Sequence, residues 1–112
     1  MARRDHKVRK VKITVLKKEF YPELADEYLC EGRQVGACPI HEVGDSYLYE
    51  GGAEKPEGLC PWAWLTLYNK VSTLCSAGIE NDWYKGGRTR IDCCTDGVRP
   101  VIFRVEALSE AE

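Results

Sequence analysis

Val11, Ile13 and Val15 alternate with Lys10, Lys12 and Thr14, and this period of two predicts a strand with one buried face. Pro22 then stands where a first helical residue is tolerated. ELADEYL continues from it with acids near the N-terminal end and with Leu24, Tyr28 and Leu29 on one side, which predicts a short helix. EGRQVGACPIHEVGDS breaks the pattern with Gly, Pro and Asp, so it reads as a loop anchored to the core by its valines and Ile40. YLYEG reads as a second, short strand and GGAEKPEG as a surface loop. The clearest periodicity lies in PWAWLTLYNKVSTLCSAG. There Pro61 opens a helix, Trp64, Leu67, Val71 and Leu74 share one face, and Gly78 supplies the C-terminal cap. Gly86 and Gly87 interrupt the chain before a C-terminal hairpin over RIDCCTDGVRPVIFRVEA. These elements predict an α+β domain over residues 10–107, in which one long helix packs on a small, mainly antiparallel sheet. A basic arm (1–9) precedes it and a short tail (108–112) follows.

Composition adds bounds to this picture. A chain of 112 residues suffices for one core and is too short for two ordinary ones. No apolar run approaches the roughly 20 residues of a spanning helix. The first residues are basic but lack the continuous apolar stretch of a signal peptide, so the cytoplasm is the expected location and no membrane association is expected. Residues 1–18 hold eight of the sixteen Lys and Arg and one Asp, a net charge of +7 against −9 for the rest. With a total of −2 and no RNA-binding signature, the arm reads as a solvated tail and no nucleic-acid partner is expected. Six cysteines are many for this length, and without an export signal they point to free thiols, a bound metal or redox work.

The adjacent Cys93 and Cys94 must point to opposite faces of a flat strand. A two-residue Asp-Gly turn pairs Thr95 with Val98 and mixes apolar and charged residues on both faces. A three-residue loop, Thr95-Asp96-Gly97, with Gly97 in the left-handed conformation, instead groups Ile91 and Cys93 with Val101, Phe103 and Val105. The second register is the expected one, with Cys93 inward and Cys94 beside Arg90 and Asp92. Pro100 lacks a donor, which predicts that its strand lies at an edge or turns that position outward.

Among the thiols, Cys60 immediately precedes Pro61 and therefore occupies the helix N-cap, where unpaired N–H groups and the helix dipole favour a thiolate. CPIH gives Cys38 and His41 a spacing at which they can share a metal. A Cys-His nucleophile pair would have to use His41, because the other histidine, His6, lies in the arm. Cys30 and Cys75, on helices near apolar neighbours, read as packing residues. Arg99, at the turn, is a candidate for holding an anion, and Asp96 reads as a turn residue. P-loop, dinucleotide and nucleophile-elbow patterns are absent.

VKITVLKKEF, the Cys38-Pro39 pair, PEG-x-C-x-W-A at 56–63 and above all CCTDGVRPVIF at 93–103 resemble a family of short prokaryotic proteins of unknown function, often labelled repeat proteins and frequent in anaerobes. The likeness spans about residues 10–106 and matches Cys38, Cys60, Cys93, Cys94, Asp96, Gly97, Arg99 and Pro100; His41, Cys30 and Cys75 fall outside it. It implies that four cysteines, Cys38, Cys60, Cys93 and Cys94, belong to the shared pattern; an all-thiolate cluster of them would suit zinc, Cu(I) or an iron-sulfur centre, although adjacent Cys93 and Cys94 argue against all four meeting at one atom. Three readings follow. The first is a thiol module with a site of Cys38, Cys60 and Cys94, binding metal or cycling redox state as an accessory to a larger enzyme. The second is an enzyme with Cys60 as nucleophile and Arg99 holding an anionic substrate. The third is a non-catalytic interaction domain whose cysteines fill a small core and whose basic arm engages a partner; a larger enzyme or a second copy of the chain are the partners expected.

Overall fold

The computed structural model describes residues 9–76 and 83–108. The rest of the arm with His6, the cap expected at Gly78, and residues 109–112 lie outside them. Four strands, β1 (Val11–Lys18), β2 (Ser46–Tyr49), β3 (Thr89–Cys93) and β4 (Val101–Ala107), form an antiparallel sheet in the order β2-β1-β4-β3. Helix α1 (Pro22–Tyr28) and a 3₁₀ turn (Gly32–Val35) follow β1, and the long helix α2 (Pro61–Cys75) covers one face of the sheet. This is the α+β architecture that the hydrophobic periods predict. No helix among the described residues is long and apolar enough to cross a membrane.

Alternation builds the core. Val11, Ile13 and Val15 of β1 and Val101, Phe103, Val105 and Ala107 of β4 point to one face, where they meet Ala63, Leu67, Val71, Leu74 and Cys75 of α2. Direct pairing of Val11 with Ala107, Ile13 with Val105 and Val15 with Phe103 keeps the two central strands in step. Burying these side chains contributes roughly 1.5–3 kcal/mol for each larger one. Beyond Val15 a bulge shifts the register, so that Lys18 rather than Lys17 comes opposite Val101.

The C-terminal hairpin departs from the expected register. Cys93 pairs with Ile102, Asp92 with Phe103 and Arg90 with Val105, so Arg90 and Asp92 lie on the α2 side and Ile91 and Cys93 on the other. Cys94, not Cys93, packs against the core. Two physical causes account for this. First, β3 is an edge strand beside α2, and Asp92 satisfies its charge there with Lys70 of the helix at 3.2 Å, so the face need not be apolar. Second, the connection is not a tight turn, because the Asp96 carboxylate folds residues 96–99 around itself and Gly97 does not take the left-handed conformation. Pro100 precedes β4, a central strand rather than an edge; it sits just before the first ladder residue, and its carbonyl accepts from the Glu19 N–H.

Helix α1 is peripheral. Its expected apolar side is exposed at Leu24 and Tyr28, and Ala25 is its buried residue. Cys30, beyond the end of α1, is exposed and does not pack, whereas Cys75 is buried as expected. The helix is placed by the Tyr21 N–H, which donates to the Val98 carbonyl, and by Asp26, which binds the Arg33 guanidinium and N–H. Arg9 is no part of a solvated tail. It is 4% exposed, its guanidinium donates twice to the Leu74 carbonyl and its N–H donates to that of Cys75, so a buried cation stands at the negative end of α2.

Candidate functional site

At the opposite end of α2, residues from three separate stretches of chain enclose a half-open cleft of about 320 Å³, lined by Ile40, Cys60, Trp62, Cys94, Thr95, Asp96 and Arg99. Leu59 is buried and draws the PEGLC segment down to the core. Cys60 thereby becomes the N-cap of α2, in extended conformation, with its carbonyl accepting the first helical bond from Trp64. The cap carries no side-chain hydrogen bond, and the first turn contains no acidic residue. The helix's own first turn therefore supplies no carboxylate at the point where the Cys60 thiol sits.

Cys94 reaches the cleft from the far end of the sequence. Its N–H donates to the Val101 carbonyl, and the Val101 N–H donates back to Cys94 Sγ at 3.4 Å, which fixes the thiol at the root of the β3–β4 loop. Next to it, Asp96 organises the wall. Oδ1 accepts from the Val98 and Arg99 N–H groups at 2.9 and 3.0 Å, and Oδ2 accepts from Arg99 Nε at 3.1 Å. Burial pushes this carboxyl up, but the hydrogen bonds and the guanidinium outweigh it and hold the group below the usual carboxylate range. Asp96 is thus a turn residue, as its position in the sequence suggests, and it is also a clamp that aims Arg99.

His41 supports the cleft from beneath. It is 1% exposed, edge-on to the Phe103 ring, and it accepts the Cys60 N–H at Nε2 at 3.2 Å. An accepting Nε2 requires the ring hydrogen on Nδ1, which donates to the Tyr47 hydroxyl at 2.8 Å. Burial pushes the imidazole below its ordinary pKa, opposed by Asp45 and assisted by Lys18. Both ring nitrogens are committed to protein partners. The imidazole consequently has no lone pair left for the thiol as a base, nor for a metal shared with Cys38. Its task is to hold the backbone of Cys60 in place. The loop's anchor is therefore His41, while Ile40 and Val43, expected to serve as anchors, are 55% and 60% exposed.

Of the residues singled out from the sequence, Cys60, Cys94 and Arg99 come together in the cleft. Cys38 rests against the core but is not among the lining residues. Cys93 pairs with Ile102 on the other face of the sheet, and burial, with Asp92 and Cys94 adding to it, pushes its thiol up. All six cysteines are free thiols. Among the described residues, no group of three or more His, Cys, Asp or Glu side chains is arranged to hold a metal ion. Sequence reasoning missed Trp62 and Ile40 as cleft residues. It also missed His41 as the support for Cys60, since a single imidazole in a loop, between Ile40 and Glu42, leaves no periodic trace. Compared with known proteins, the chain matches no family model, no curated protein and no solved structure.

Proposed function

We propose that the protein is a small dithiol module in which Cys60 and Cys94 cycle between two thiols and one disulfide, in an accessory role to a larger enzyme. The observation that carries this reading is that two cysteines far apart in sequence line the same solvent-facing cleft, one at a helix N-terminus without an acidic cap. In the reaction, the Cys60 thiolate attacks one sulfur of a disulfide and displaces the other as a thiolate. The Cys94 thiol then loses its proton and attacks Cys60 Sγ, releasing the second thiolate and closing the Cys60–Cys94 bond. Two electrons pass from the protein to the disulfide, and the two released thiolates take up the two protons. A tetrahedral zinc ion would need ligands beyond these two sulfurs, and among the described residues no group of three or more His, Cys, Asp or Glu side chains is arranged to hold one, so redox cycling is favoured over a resident zinc ion.

The test is equilibration in glutathione buffers of graded poise, followed by alkylation and peptide mass spectrometry. A single link between the Cys60 and Cys94 peptides, appearing over a narrow range of poise, is the expected result. Links scattered among Cys30, Cys38 and Cys93, or no link at any poise, would reject the reading.

A further inference from the structure

The remaining lining of the cleft describes what should enter it. Ile40 and Trp62 are 55% and 64% exposed and stand at its mouth, so an apolar wall is offered to solvent beside the thiols. Large apolar side chains left open at the rim of a concave site gain by covering, and an indole adds a flat face for a planar or hydrocarbon group. The lining also includes Arg99. Its Nε is held by Asp96 Oδ2, whereas Asp96 Oδ1 is saturated by two backbone N–H groups. The carboxylate is thus spent inside the loop. The guanidinium, about one-third exposed, keeps its two Nη groups for a ligand, in the planar fork that suits a carboxylate or sulfonate. The α2 N-terminus, which carries Cys60 and Trp62, adds partial positive charge to the cleft.

From these features, and resting on the dithiol reading above, we propose that the cleft selects disulfides that join an apolar body to an anionic group. Ile40 and Trp62 receive the apolar part, Arg99 receives the anion, and the disulfide lies between them over Cys60. The anionic group does not react. It orients the disulfide for attack by Cys60 and leaves as part of the released thiol, so the electron and proton balance given above is unchanged.

Two aromatic disulfides of similar size separate the contributions: dithiobis(nitrobenzoate), which is anionic, and dithiodipyridine, which is neutral. The readout is the ratio of their stopped-flow rates at the Cys60–Cys94 pair, with the products checked by mass spectrometry. The anionic probe should be favoured, and Arg99→Gln should lower the anionic-to-neutral ratio about fivefold, the size expected of one partly exposed charged contact. Arg99→Lys should restore part of the ratio, and added salt should erode it. Trp62→Ala should slow both probes. A ratio that Arg99→Gln leaves unchanged would overturn this inference while leaving the dithiol reading standing. Failure of both probes to close the Cys60–Cys94 bond would overturn the two together.

Discussion

The two ends of α2 use similar materials for opposite purposes. At the C-terminal end a buried arginine meets the last carbonyls, Cys75 is sealed among hydrocarbons, and burial pushes its thiol up although Arg9 opposes the shift. At the N-terminal end the Cys60 N–H is satisfied by a neutral imidazole, the cap lacks a side-chain bond, and the thiol lines an open cleft with a second cysteine. A buried cation complements the dipole at one end, whereas the first turn at the other end carries no acidic residue. Two cysteines of nearly equal burial, 8% exposed at Cys60 and 5% at Cys75, thus differ in what the fold brings beside them, the lining of a cleft at one end and a sealed core at the other.

Removing the support of either end should break this contrast in a distinct way. His41→Ala should cost about 3 kcal/mol, measured by urea unfolding, because it opens a cavity and orphans both the Cys60 N–H and the Tyr47 hydroxyl. In the folded fraction it should also change the alkylation rate of Cys60 while leaving Cys75 protected. Arg9→Met, which keeps the hydrocarbon stem, should cost about 2 kcal/mol for the lost charged hydrogen bonds and leave thiol exchange at Cys60 untouched. Equal effects of the two substitutions on Cys60 chemistry would mean that the ends are not independent.

Acid gives a smaller and graded perturbation of the same comparison. The folded imidazole of His41 binds its proton less readily than the unfolded one. Its contribution to stability is therefore complete above the ordinary imidazole range and declines as pH falls through that range toward the lower folded value. Asp96 has a folded pKa below its ordinary one, so its contribution is present above the usual carboxylate value and disappears only as pH falls further, through the lower folded value. Unfolding midpoints measured against pH should show the first decline in the wild type and lack it in His41→Ala.

Periodicity made much of the fold legible. The alternation at Val11–Val15 and the helical spacing of Leu67, Val71 and Leu74 each bury the face they predict. The misreadings occur where a charged side chain finds a partner that sequence does not reveal. Asp92 meets Lys70 on the helix and so tolerates the inward face, which reverses Cys93 and Cys94. Arg9 meets the Leu74 carbonyl, 65 positions away. For the cleft, Cys60 was visible from Pro61 and Arg99 from the turn, but their convergence with Cys94 depends on the loop that Asp96 shapes. Trp62 gave no signal, because an exposed tryptophan near a helix start has no spacing to distinguish it.

The central claim is that Cys60 and Cys94 lie within reach of one another in a single accessible cleft. Capture by a monosubstituted trivalent arsenical tests it most directly, because such a reagent bridges two neighbouring thiols without any change of redox state. The wild type and Cys93→Ser should retain the arsenical stoichiometrically after a monothiol wash, whereas Cys60→Ser and Cys94→Ser should each lose it. Retention by Cys60→Ser, or loss from Cys93→Ser in a chain that remains folded, would show that a different pair of sulfurs had been bridged and would contradict the account.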